Sequence, residues 1–235
     1  MKKLLLVIVW ALVILLLPFG SSSFADDSAV INKTRDIQGH ISDIGYKILN
    51  SNKIQARMIF VYDSNKESKV HLDSGLTKRQ IVVYDKKIQF AQNDDEIAGL
   101  LAREICKTAE SYSGMGKGVV TSAQIKLAPK KYEIFFDKRA VDFMVTAGYN
   151  PLGLITYINK AYPQKRQDKI ARTNLTSKRL ANIYEYIYTK YPYFLKNNAY
   201  IKNEAYQNFL LNSTENRKEL YNKIKSGSKK VINYE

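Results

Sequence analysis

The chain predicts an α+β fold that is mainly helical, with a small β-sheet packed on the helices. Three observations carry this. Apolar residues recur at three- and four-residue spacing through much of the chain, the period of one helix face. Short runs rich in β-branched and aromatic residues are confined to residues 56–85. A content of 45% hydrophobic residues over 235 positions is enough for one main domain with a packed core, which excludes a compositionally disordered chain.

The first 25 residues read as a separate segment. Lys2 and Lys3 precede an unbroken apolar run from Leu4 to Leu17, Pro18 and Gly20 break it, and small residues precede Asp26. That order is the order of a secretory signal peptide cut after Ala25, so the expected location is secreted or cell envelope (periplasm or extracellular). The competing reading is an uncleaved membrane anchor, for which the run is shorter than the roughly 18–20 apolar residues that span a bilayer. No cysteine lies near the cleavage point, so a lipoprotein anchor finds no support.

Residues 26–191 are expected to form the main domain. Ile37, Ile41, Ile44 and Ile48 line one face of a helix over 29–50. "ARMIFVYD" (56–63) is a strand ended by a turn cluster, and "KVHLD" (69–73) and "RQIVVYD" (79–85) are two further short strands around the turn "SGLTK". Asn93 is an N-cap with Glu96 three residues later, as in a capping box, and Asp94 and Asp95 suit the positive end of a helix dipole. Ile97, Leu100, Leu101 and Ile105 form the apolar stripe of that helix. "SYSGMGKG" (111–118) ends it as a loop, since the spacing of a phosphate-binding loop is absent. A second long helix covers about 130–147 and stops at "AGYNP", where Gly148 and Pro151 supply a stop and a restart. A further helix starts near 151, and "LTSKRLANIYEYIYTKYP" is a helix capped by Thr176 or Ser177 and ended before Pro192. Residues 192–235 are a C-terminal extension. One or two amphipathic helices are expected over 199–225, with Tyr200 and Tyr206 as packing groups and the tail "SGSKKVINYE" frayed.

The formal charge is +15, or +13 without Lys2 and Lys3. Such a surface suits an anionic envelope or membrane surface. The lysines are nevertheless spread along the chain, and Lys, Asn, Ile and Tyr are abundant together, as AT-rich coding produces. No nucleic-acid module is present in the pattern, so no nucleic-acid partner is expected. The sole cysteine, Cys106, falls inside a helical pattern and reads as a small core residue, and one cysteine excludes an internal disulfide. The sequons at Asn32, Asn174 and Asn212 are the number an Asn-rich chain produces by chance.

The chemistry-bearing stretch is Arg103-Glu104-Ile105-Cys106-Lys107. In zinc proteases with H-E-x-x-H, positions i and i+4 share a helix face, so two imidazoles reach one metal and the intervening Glu is general base on the bound water. "IQFAQNDDEIAGLLAREICK" resembles the strand and helix of the HtpX and CAAX prenyl protease group of zinc metallopeptidases (family 48), whose pattern runs roughly "sEdELAaVLAHEIGH". "YEIFFDKRAVDFMVTAGYNP" is similar to that family's E-x-x-A-D helix and following "AGYDP", and "RTNLTSKRLANI" to its "THP-x-x-x-x-R" stretch. The resemblance covers about residues 31–191 and implies a zincin fold. It puts Glu104 at the general-base position, Glu133 at the third zinc ligand and Asp137 at the acid that orients the first histidine. Arg179 falls on the family's arginine.

The departures lie at the ligands. Arg103 and Lys107 stand where the two zinc histidines belong, and Asn174 stands where a downstream histidine belongs. The loop between the two site helices is short for the family, which bears on its substrate-cleft segment. Arg and Lys beside carboxylates stay protonated and are not normal zinc ligands, so the zinc expected in the family is expected to be lost and no metal or other cofactor is expected. Only His40 and His71 remain as histidines, and one histidine with Glu104 and Glu133 is an unusual ligand set. The i, i+4 spacing of Arg103 with Lys107, and of Glu133 with Asp137, predicts two buried ion pairs, Lys107–Glu133 and Arg103–Asp137. The expectation is therefore a degenerate, non-catalytic metallopeptidase homologue that binds a peptide or protein partner in the old cleft, by strand addition near residues 70–73. An active metalloendopeptidase with a rearranged ligand set is the first alternative. A basic structural or adhesive envelope protein is the second.

Overall fold

The computed structural model describes residues 23–64, 79–111, 129–163 and 175–234, with side chains described from Arg35 onward except near segment edges. The chain divides into two compact units, Met1–Ile37 and Gln38–Glu235. Of the first unit, the described part is the start of α1 (Ser23–Ser51), a helix that crosses the expected cleavage point after Ala25. Among the described residues no helix is long and apolar enough to cross a membrane.

Among the described residues the second unit is mainly helical with a two-stranded sheet, the α+β class expected. From Gln38 onward α1 buries Ile41, Ile44 and Ile48, the face that the spacing predicts. Its end is satisfied by Asn52, whose side-chain amide donates to the carbonyls of Ile48 (2.9 Å) and Phe143 (3.0 Å). Strands β1 (Ile59–Asp63) and β2 (Gln80–Tyr84) pair in parallel, with Phe60 opposite Ile81 and Tyr62 opposite Val83. The strand expected at 69–73, with the turn after it, lies outside the described residues. The other edge of β1 meets a side chain of α1. The Gln38 amide donates to the Phe60 carbonyl (2.9 Å) and accepts from the Tyr62 N–H (2.6 Å), standing in for one peptide group of a third strand.

A single turn, α2 (Asp85–Ile88), follows β2 and corrects the strand that the resemblance puts at 88–92 ahead of the site helix: Ile88 closes the turn and residues 89–92 form no strand. Then comes α3 (Asp94–Ser111). Its start has the expected cap with one difference. The Asn93 side chain accepts from the Glu96 N–H (3.1 Å), while Glu96 reaches back to the N–H of Gln92 rather than to that of Asn93 (2.6 Å). Ala98, Leu101, Ala102 and Ile105 are fully buried, so α3 is the central helix of the unit.

Helices α4 (Pro129–Thr146) and α5 (Leu152–Ala161) pack on α3. Between them the chain turns at Gly148, whose φ of +81° is strained for any residue with a Cβ. The N–H groups of Gly148 and Tyr149 return to the carbonyls of Val145 (3.0 Å) and Met144 (2.9 Å), a Schellman end. The approach of α5 to α3 is set by Gly153: a Cβ there lies 2.6 Å from Cβ of Asp95 and 2.7 Å from its carbonyl carbon. Glu96, fully buried, binds α5 by accepting from Thr156 Oγ1 (2.7 Å) and Lys160 Nζ (2.6 Å).

Helix α6 (Leu175–Lys190) packs on α4 and α5. It begins at Leu175, ahead of the expected caps Thr176 and Ser177; Ser177 is buried inside the first turn. After the short α7 (Tyr193–Lys196) come α8 (Glu204–Asn212) and α9 (Thr214–Lys225). These C-terminal residues belong to the same compact unit as the rest. Tyr200 and Tyr206 are buried as packing groups, and the Tyr200 hydroxyl bonds Asp95 (3.0 Å) and Asn93 (3.1 Å) at the start of α3. The tail corrects an expectation. It has no regular structure, yet it is not frayed at its end: the Tyr234 ring is buried and its hydroxyl donates to Glu185 (2.9 Å).

Candidate functional site

The residues singled out on α3 and α4 come together. Arg103 and Lys107 occupy one face of α3 one turn apart, and Glu133 and Asp137 the facing side of α4. The Arg103 guanidinium lies between the two carboxylates. Its Nε is 2.6 Å from Oδ1 of Asp137, and its Nη2 donates to Oε2 of Glu133. The Nε hydrogen is not aimed along that short contact, which leaves it the one buried side-chain donor without a hydrogen bond among the described residues. Arg179 of α6 closes the other side of Asp137 as a two-pronged clamp, from Nε at 2.7 Å and from Nη2 at 2.9 Å. Asp137 is thus a fully buried carboxylate between two guanidinium groups.

The second predicted pair is present but differs in kind. Lys107 Nζ lies 3.8 Å from Glu133 and 3.4 Å from Glu104, and its side chain is 31% exposed, against 6% for Arg103. Glu133 and Glu104 are each about a quarter exposed. The physical reason is position. Arg103 meets the buried Asp137 at the helix contact, whereas Lys107 lies one turn further along α3, beside the partly exposed Glu104 and Glu133. The expectation of two buried pairs is corrected to one buried cluster, Arg103–Asp137–Arg179, with a solvent-facing mouth of Glu104, Lys107 and Glu133.

Burial disfavours the charged form of Arg103, but Asp137, Glu133 and Glu104 outweigh it and raise its pKa above the ordinary arginine value. Burial pushes the Glu104 carboxyl up; Lys107, Lys87 and Arg103 overcome that and bring it down to about 2. Asp137 is likewise held below the usual carboxylate range, with burial opposed by Arg103 and Arg179. Burial pushes the Cys106 thiol up to about 12, which fits a core residue and not a nucleophile.

These residues do not fit the zinc set that the resemblance implies. Two cations hold the ligand positions, and the Glu133 carboxylate already meets Arg103 and Lys107. His40 pairs with Asp94 at the start of α3 (3.0 Å), nine residues and thus about 14 Å of helix from Arg103. His71 and Asn174 lie outside the described residues. Among the described residues no group of three His, Cys, Asp or Glu is arranged to hold a metal ion. What the arrangement does is cross-link α3, α4 and α6 by charge, and leave two acids and a lysine partly exposed to solvent.

The resemblance places Arg179 on the family's arginine, but its joining of α6 to Asp137 was not anticipated, since nothing local in α6 says which acid it meets. The Glu96–Thr156–Lys160 cluster was missed, because Glu96 was already accounted for as a cap. No protein-family model, curated protein or solved structure matches this chain.

Proposed function

We propose that the chain is an exported, catalytically inactive relative of the family 48 zinc metallopeptidases, acting by binding an extended peptide or an envelope protein over the mouth of the α3–α4 charge cluster. The observation that carries this reading is the Arg103 guanidinium between Glu133 and Asp137. The resemblance assigns a metal ligand to Glu133 and an orienting acid to Asp137, and here a permanent cation pairs with both. Without a Lewis acid Glu104 has no acidified water to deprotonate, and its own carboxyl is committed to Lys107 and Lys87. The partly exposed Glu104, Lys107 and Glu133 supply acceptors and a donor that a peptide backbone or its charged side chains can use.

The test is metal content and cleavage together. The purified protein is expected to hold no stoichiometric, chelator-sensitive zinc and to cleave no unstructured peptide library. Zinc at one per chain, with cleavage abolished in Glu104→Gln, selects the active-peptidase alternative. A second measurement tests the resemblance itself. The Arg103→His/Lys107→His variant is expected to gain zinc in equilibrium dialysis, and to lose it again on adding Glu133→Gln. A correctly folded double variant that takes up no zinc removes the family reading.

A further inference from the structure

The positive charge of α9 and the residues behind it is concentrated along a short stretch of chain. Residues 214–234 contain Arg217, Lys218, Lys223, Lys225, Lys229 and Lys230 against Glu215 and Glu219. Two of these cations are used inside the fold. Lys223 Nζ binds Glu185 at 2.6 Å, and Arg217 donates to the Leu210 carbonyl at 2.8 Å and the Ser213 hydroxyl at 3.2 Å. Lys218, Lys225, Lys229 and Lys230 are exposed. Leu220 is buried and turns the opposite face of α9 inward, so Lys218, Tyr221 and Lys225, at i, i+3 and i+7, share one outward stripe.

Apolar groups are exposed among these lysines: Tyr221 at 61%, Ile224 at 41% and Val231 at 85%. The tail that carries Lys229, Lys230 and Val231 is held at both ends. At its start the N–H groups of Gly227 and Ser228 bond the carbonyls of Ile224 and Lys223, each at 3.1 Å. At its end the buried Tyr234 bonds Glu185. The segment is therefore presented as part of a surface, with little ordering left to lose on binding.

We infer that α9 and the tail behind it are a docking surface for a bilayer bearing anionic lipid headgroups. Four lysines meet the negative surface potential, the amphipathic Tyr221 ring suits the headgroup level, and Ile224 and Val231 have an acyl boundary to enter. A dissolved anionic polymer satisfies the lysines but leaves Ile224 and Val231 in water, so the exposed apolar groups favour the bilayer. This surface is independent of the α3–α4 cluster and of the reading proposed for it.

The experiment uses the full chain and a single thiol-reactive environment-sensitive fluorophore at Val231→Cys. The native Cys106 is buried and does not compete for label. Control protein carries the fluorophore at Ile59→Cys on β1. On vesicles of phosphatidylcholine with 30% phosphatidylglycerol, the probe at 231 is expected to shift to the blue while the probe at 59 does not. Each lysine near such a surface contributes about a fivefold increase in partitioning, so Lys218→Glu/Lys225→Glu/Lys229→Glu/Lys230→Glu is expected to weaken the response at least about 100-fold. Tethering by the apolar N-terminal run sediments protein with neutral vesicles too, but does not move the probe at 231. No shift at 231, an equal shift at 59, or a shift unchanged by the four reversals overturns the inference. Binding to a lipid-free polyglycerol phosphate with no response to anionic vesicles also overturns it.

Discussion

Arg103→Met tests the charge cluster most directly. The substitution keeps an unbranched apolar stem and removes the guanidinium between Glu133 and Asp137. Asp137 stays fully buried, and stranding a buried charge typically costs about 3–5 kcal/mol. Two compensations bring the expected value to the low end. Arg179 still clamps Asp137 at 2.7 and 2.9 Å, and Glu133, about a quarter exposed, still has Lys107 at 3.8 Å and water. A loss of about 3 kcal/mol in a unit of this size lowers the melting temperature by about 6–12 °C. Guanidinium titration should show the same loss as a lower midpoint with an unchanged slope. Lys107→Ala is the internal comparison. Its partly exposed ammonium lies at 3.4 and 3.8 Å from its acids, so the expected loss is about 0–1 kcal/mol. Arg103→Met melting within 2 °C of wild type, or Lys107→Ala costing more than Arg103→Met, refutes the division into a buried cluster and an open mouth.

Gly153→Ala is expected to be among the more damaging single-methyl additions, costing at least about 2 kcal/mol by thermal melt, because the new Cβ meets Asp95 backbone at 2.7 Å and α3 and α5 must separate. Acid should unfold the protein through its site carboxylates. Glu104 and Asp137 are both held below their ordinary values, so the stability they confer is complete above the unfolded carboxylate range and is lost as pH falls, for Glu104 between the ordinary 4.5 and about 2. Circular dichroism melts from pH 6 to pH 2 should show this loss, and it should shrink in Glu104→Gln. Cys106 should resist thiol reagents at pH 8 in the native state and react fully in denaturant, since the group is buried and its pKa is pushed up to about 12.

Much of the helical framework was legible because each helix carries its own local signals. The α3 cap, the buried stripe from Ile97 to Ile105 and the stop at Gly148 are determined by residues within a few positions of where they act. The Tyr234 anchor was not legible for the opposite reason. A short polar tail reads as frayed unless the distant Glu185 is known to wait for its hydroxyl. The same holds for Glu96, which satisfies a local cap and, 64 residues away in the chain, a lysine of another helix. Gln38 is the subtler case. Its spacing places it off the apolar face of α1, and only the fold shows its amide completing the edge of β1.

The site was legible as a set of residues, and less so as a distribution of burial. Spacing alone makes Arg103 and Lys107 equivalent, one turn apart on one face, and it makes Glu133 and Asp137 equivalent in the same way. The third helix breaks that symmetry. Arg179 clamps Asp137 at 2.7 and 2.9 Å but comes only within 3.9 Å of Glu133, so the Asp137 end closes into a buried triad while the Glu133 end keeps a lysine and two partly exposed acids. The two halves therefore answer to different perturbations. Substitutions at Arg103, Asp137 or Arg179 strand a buried charge and act through stability. Substitutions at Glu104 or Lys107 remove partly exposed groups, so any effect they have on binding is readable in a protein that remains folded, whereas Glu133 also pairs the buried Arg103 and its loss acts through stability as well.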